Sequence, residues 1–141
     1  MKQVILKTIK KYNLFEQKDS IVVAVSGGAD SMALLHFLLQ IKKRYDLHLI
    51  IAHVNHKKRA NSDLDEELVQ TISKYYGLSY EVYHLPNQER YDNFHEYARR
   101  ERYRFFKQVA DKYHATHLAT AHHADDHLEN QMYRFIYQST T

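Results

Sequence analysis

The chain contains three glycines, and two of them, Gly27 and Gly28, stand side by side. They follow a β-branched apolar run, Ile21 to Val25, and precede a helical pattern from Ser31 to about Arg44. A chain so sparing with glycine that pairs two of them needs bare backbone at that bend. The segment therefore reads as a buried strand, a tight turn over Ser26–Asp30, and a largely buried helix carrying Leu34, Leu35, Phe37, Leu38 and Ile41.

The same alternation continues. Residues 2–13 read as an amphipathic helix on Val4, Ile5, Ile9 and Tyr12. Leu47–Val54 is a second strand. Ser62, with Asp65 three residues on, resembles a capping box that opens a helix ending near Gly77. Ser79–Leu85 is a third strand, a polar loop follows Pro86, and a long helix spans Asn93–His114. Thr116–Ala121 is a fourth strand, and a last helix is expected from Ala124 to about Tyr137. This order predicts an α/β fold, a Rossmann-like three-layer sandwich with a mostly parallel sheet. Ligands of such sheets sit beyond the carboxyl ends of the strands. Three polar clusters fall there: Ser26–Ser31, His53–Arg59 and His122–Glu129.

Composition narrows the function. The 141 residues suit one domain with a real core. A hydrophobic share of 44% with 26% charged residues excludes bulk disorder. With no cysteine, disulfides, Cys-ligated zinc, iron–sulfur clusters and thiol chemistry carried by this chain are excluded. No apolar run reaches a membrane span, and the Lys-interrupted start is no signal peptide. The expected address is cytoplasmic, without a membrane partner. A net charge of +3 is only a weak pointer to an anionic partner.

At the first cluster, Ser26, Gly27, Gly28, Ala29, Asp30 and Ser31 lie between strand and helix. Missing side chains let an anion approach, and the helix start supplies N–H groups and partial positive charge. Asp30 repels phosphate, so its sensible role is to hold a divalent cation against it. The bland alternative is a strand–helix turn with a Ser cap, but Ser, Asp and Ser at these offsets favour phosphate. The loop is neither a Walker A motif nor a dinucleotide fingerprint. It resembles the PP-loop of N-type ATP pyrophosphatases, which bind the pyrophosphate part of ATP and transfer an adenylate.

The other clusters sharpen the resemblance. They are His53-Val54-Asn55-His56 with Arg59, Ala98-Arg99 with Arg102-Tyr103 and Phe105, and Thr120 through Glu129 including His122, His123, Asp125 and Asp126. In this order they resemble the tRNA(Ile)-lysidine synthase family over residues 18–137. The fold implied is that of adenine nucleotide α-hydrolases. The activity implied is an ATP-dependent ligase acting on the wobble cytidine of the CAU-anticodon tRNA(Ile). The C2 oxygen attacks the α-phosphorus, pyrophosphate leaves, and the amine of free L-lysine displaces AMP. The tRNA then changes from Met to Ile identity.

Site expectations follow. Ser26 to Ser31, His53 and Asn55 would bind ATP. Asp30, His122, Asp126 and Glu129 would be catalytic, with Asp30 and Asp126 holding Mg²⁺. Arg99 and Arg102 would contact tRNA or phosphate. On the expected last helix, Asp126, Glu129 and Tyr133 share one face and Leu128, Met132 and Phe135 the other. Each has a plainer reading: a solvated strand end for His53 and His56, a basic helix face for the arginines, and dipole-complementing acids for Asp125 and Asp126. Arg100, Arg104 and Lys107 read as surface charge, and the tyrosines as core and rim.

The sequence also departs from the family. Lys57-Lys58-Arg59 stands where Leu precedes the Arg, Asn130 replaces Thr, and Tyr137-Gln138-Ser139 replaces an Arg-Gly pair. The expected organisation is a helix and lead-in over 1–17, then a PP-loop catalytic domain over 18–141 lacking its C-terminal part and the tRNA-binding domains. Full-length members allow a homodimer. Such a chain is expected to bind ATP without making lysidine unaided. The rival readings are a tRNA thiolase or amidotransferase on the same loop, a metal hydrolase, and a non-catalytic adenine-nucleotide module. Thiolases generally use cysteines, and the adjacent His122 and His123 break a dimetal H-x-H pattern.

Overall fold

The computed structural model describes residues 19–56, 62–86, 94–124 and 127–134. Its elements run β1 (Ser20–Ala24), α1 (Ala29–Tyr45), β2 (His48–Asn55), α2 (Ser62–Tyr75), β3 (Ser79–His84), α3 (Phe94–Tyr113), β4 (His117–Ala124) and β5 (His127–Arg134). The helix expected over 2–13 lies outside the described residues.

The strands form one sheet in the order β3-β2-β1-β4-β5. The first four run parallel, with Val22 level with both Ile50 and Leu118. Right-handed crossovers fix the helices. Two steps in one direction, β1 to β2 to β3, put α1 and α2 on the same face. The return from β3 to β4 puts α3 on the other. Strand order reverses between β1 and β4, the point at which such sheets open a crevice.

Alternation along each strand builds two cores. Ile21, Val23, Leu49 and Ile51 pack under α1 and α2 with Leu35, Leu38, Ile41 and Val69. Val22, Ile50, Ala52 and Leu118 pack under α3 with Phe105, Phe106, Val109 and Ala110. Left-handed residues end two helices: Asp46 (φ 51°) closes α1 with a bond from the Leu47 amide to the Lys42 carbonyl (2.9 Å), and His114 (φ 56°) follows α3. Gly77 (φ 66°) lies just past α2, as its position in the sequence suggested.

One element differs in kind. Where the sequence predicts a helix from Ala124 to Tyr137, the structure has β5, antiparallel to β4. The apolar spacing at Leu128 and Met132 is helical, but β4 would otherwise present an open row of N–H and C=O groups. Pairing satisfies that edge and overrides the local period. The register joins Ala124 to His127, leaving two residues between them, the commonest hairpin link. Glu129 and Tyr133 therefore share a strand face, level with His122 and Leu118 respectively. Asp125, Asp126 and Phe135 lie outside the described residues.

Candidate nucleotide site

The glycine loop leaves β1 at its carboxyl end and enters α1 through Gly28, an extended N-cap (φ −78°, ψ 166°). The helix starts at Ala29, two residues earlier than the sequence suggests, so Asp30 belongs to its first turn. The Met32 amide is bonded to the Gly28 carbonyl (3.0 Å). The amides from Ala29 to Ser31 thus stand at the positive end of the helix dipole.

The loop's serines are tied to one another. The Ser31 hydroxyl donates to the Gly28 carbonyl (3.2 Å) and accepts the Ser26 amide (3.0 Å). Ser31 has one hydroxyl proton, so in its 3.1 Å contact with the Ser26 hydroxyl the Ser26 group donates. Ser26 Oγ accepts the Gly28 amide in turn (3.2 Å). Gly27 needs its glycine: it has φ 92°, and a Cβ there would meet the Asp65 Cβ at 2.9 Å.

Beneath the loop lies a polar brace. His53 is 2% exposed, and its Nδ1 is 2.7 Å from the Val25 carbonyl, so Nδ1 carries the proton and donates. Asn55 donates from Nδ2 to Asp63 Oδ1 (3.1 Å) and Glu66 Oε1 (3.3 Å), joining β2 to the first turn of α2. His84, at the end of β3, meets the same Glu66 oxygen at 2.5 Å. Burial pushes the Glu66 carboxyl up, but the bonds from His84 and Asn55 outweigh it and hold it below the usual range. Burial, with the Glu66 charge added, pushes the Tyr80 hydroxyl up to about 12.

A cleft of about 160 Å³ opens at the reversal between β1 and β4. The end of β1 and the loop after it supply Val25, Ser26 and Ser31, the middle of β4 supplies Thr120 and Ala121, the carboxyl half of β2 and the residue after it supply Ala52, Val54 and His56, and α3 supplies Arg102, Tyr103 and Phe106. The lining thus combines a hydroxyl-bearing loop, an apolar and aromatic wall, and one guanidinium. Phe106 is held edge-on by Tyr103 at 5.9 Å.

Of the residues singled out in the sequence, Ser26, Ser31, His56 and Arg102 line this cleft. Gly27, Gly28, Ala29 and Asp30 shape the adjoining turn. His53 and Asn55 do not line it. They share the α1/α2 face of β2 with Ile51, whereas Ala52 and Val54 face the cleft. Arg99 lies one turn from Arg102, 6.0 Å from the Tyr103 ring centre. Arg104 and Lys107 are paired with Glu101 (2.6 Å) and Asp111 (2.7 Å), as surface charge should be. Val54, Tyr103 and Thr120 fall inside the sequence motifs without a role assigned to them, and Phe106 was not singled out, although strand parity gives Val54 and helical spacing gives Tyr103 and Phe106 beside Arg102. The side chains of His122 and Glu129 lie outside the described residues. Their Cα atoms are register partners, which puts both positions on one face of the sheet.

The family model for the PP-loop domain matches residues 1–141. The chain belongs to the PP-loop domain family. It is 38% identical over 135 residues to a tRNA(Ile)-lysidine synthase of Streptococcus equi subsp. equi, covering 95% of this chain and 30% of that protein. It is 36% identical over 142 residues to a tRNA(Ile)-lysidine synthase of Clostridium tetani, covering 96% of this chain and 30% of that protein. The chain thus spans about a third of the length of these curated relatives. Among solved structures, a U34-tRNA thiolase of Methanococcus maripaludis with a [4Fe-4S] cluster shares the fold, with a TM-score of 0.71 at 20% identity over 89% of this chain and 45% of that one. No helix among the described residues is long and apolar enough to cross a membrane.

Proposed function

We propose that this PP-loop domain binds ATP in the cleft between β1, β2, β4 and α3 and serves the adenylation step of a tRNA(Ile)-lysidine synthase. The observation that carries the reading is the cleft itself: a glycine loop at a helix N-terminus, two aromatic rings and the Arg102 guanidinium together line it at the strand-order reversal. The phosphates lie along Ser26–Ser31 and the base lies toward Val54, Tyr103 and Phe106. Relatives at 36–38% identity named as lysidine synthases support this substrate over other PP-loop chemistry.

The residues fit a magnesium nucleotide. Among the described residues no three His, Asp or Glu side chains converge as a metal site. Mg²⁺ is commonly held by one or two carboxylates plus substrate phosphates, and Asp30 in the first turn of α1 suits that role, with Asp126 as the second carboxylate. The ion supplies charge neutralisation at the phosphates. The loop amides orient the triphosphate, and Arg102, with Arg99 beside it, takes phosphate of ATP or tRNA. His122, Asp126 and Glu129 serve lysine and the transfer to C2 of the cytidine, whose oxygen is adenylated as pyrophosphate leaves. The setting is the cytoplasm. The 141 residues bind nucleotide and leave lysidine formation to the longer enzyme, which allows a homodimer.

Calorimetric titration of the chain with ATP and Mg²⁺ tests the first claim: saturable binding that is lost in Asp30→Ala together with Arg102→Ala supports it, and no binding overturns it. In the longer enzyme, ATP–pyrophosphate exchange that requires the CAU-anticodon tRNA(Ile) tests the second. Exchange without tRNA would return the domain to another PP-loop activity. The thiolase reading has less support here, because iron–sulfur clusters are held by Cys thiolates and this chain has none.

A further inference from the structure

Thr120 is 8% exposed, and its hydroxyl is shut away from water with no hydrogen-bond partner among the described residues. Groups of this kind are rare in folded proteins, and each calls for a partner. Thr120 lies one residue beyond Ala119, which is level with Val23, so it stands beside the end of β1. It shares the α3 face of the sheet with Leu118 and lines the cleft together with Ser26 and Ser31. Those two serines are already bonded within the loop; Thr120 is not.

We infer that the Thr120 hydroxyl is a direct contact of the bound nucleotide, donating a hydrogen bond to a phosphate oxygen at the loop end of the cleft. The inference rests on the nucleotide reading of the cleft. Its chemistry is simple. A Thr hydroxyl carries one donor on a rotatable bond, and a single step between staggered rotamers re-aims it. The loop end holds the serines and the helix dipole, whereas the far end is lined by Val54, Phe106 and Tyr103. A donor level with Ala24, on the sheet face that leads to Ser26, therefore meets the anionic part of the ligand and not the base. The contact also gives the buried oxygen the partner it lacks.

The test is titration of the 141-residue chain with Mg²⁺ and each of three probes: ATP, inorganic pyrophosphate and adenosine. Thr120→Val keeps the shape and removes the hydroxyl. It should weaken ATP and pyrophosphate about ten- to a hundredfold, the effect of one hydrogen bond to a charged group, and leave adenosine within about twofold. Thr120→Ser should restore binding, which a purely structural role for the methyl group would not allow. Unchanged pyrophosphate affinity in Thr120→Val, or a loss confined to adenosine, overturns the inference. If the wild-type chain binds pyrophosphate but not ATP, the nucleotide reading fails while the phosphate contact stands.

Discussion

Asp65 packs against Gly27: a Cβ built on Gly27 would stand 2.9 Å from the Asp65 Cβ, closer than real side chains approach. The first turn of α2 thus presses on the bend that leads into α1. Gly27→Ala combines this clash with a non-glycine residue at φ 92°. It should lower stability by about 1–3 kcal/mol, read by urea unfolding. In a double-mutant cycle, Asp65→Gly should recover the steric part and not the backbone part. Strict additivity of the two substitutions would show that no contact exists.

His53 acts on the loop from below. Its Nδ1 holds the Val25 carbonyl at 2.7 Å, one residue before Ser26. His53→Ala leaves that carbonyl without its side-chain partner in the interior and should cost about 1–3 kcal/mol. Because His53 lies on the face of β2 away from the cleft, denaturation should report the loss more strongly than ATP affinity at low temperature. A variant that unfolds like wild type but fails to bind ATP would make His53 a ligand contact instead.

Glu66 makes the joint between β2, α2 and β3 sensitive to acid. Its carboxyl is held below the ordinary value by His84 and Asn55. As pH falls below about 4.3, the unfolded chain therefore takes up the proton first. The stabilisation is complete above the unfolded value and is lost as pH falls through the folded one. The melting temperature of wild type should drop more steeply between pH 5 and 3 than that of Glu66→Gln. Parallel profiles would show that a group other than Glu66 carries the acid sensitivity.

Arg102 lines the cleft and Arg100 does not. Arg102→Ala should weaken ATP binding by about ten- to a hundredfold, the scale of a hydrogen bond to a charged group. Arg100→Ala should change it by less than about twofold, a control that separates a specific contact from the general positive field. Equal losses in both would assign the effect to net charge.

The fold was largely legible because each parallel strand, buried on both faces, leaves a continuous apolar run that needs no partner to be recognised. Ile21–Val23 and Leu49–Ala52 are of this kind. The glycine loop was legible for a local reason, since two adjacent glycines in so glycine-poor a chain mark backbone that must bend. Residue roles at the end of β2 were harder. His53 and Asn55 attract notice by their chemistry, but period-2 alternation sends them away from the cleft and turns Val54, which has no polar chemistry to mark it, toward it. Thr120 opens the third cluster but drew no role of its own, because a lone hydroxyl has no pattern; its missing partner is visible only in three dimensions.

The final strand escaped for a different reason. Leu128 and Met132 carry a helical period, and the edge of β4 that recruits them exists only once β4 has joined β1 in the sheet. Carbon-13 secondary shifts over 127–134 should read as strand. Met132→Pro, at the position level with Ala119, should remove exchange protection from β4 amides while sparing those of β2. Helical shifts over this segment would overturn the hairpin.

The ring of bonds joining Ser26, Gly28 and Ser31 bears on how the loop meets its ligand. An anion arriving there would find these groups already satisfied and would displace one internal acceptor for each oxygen it brought. Entry and departure would then be exchanges of like for like, for which the loop need not melt and reform.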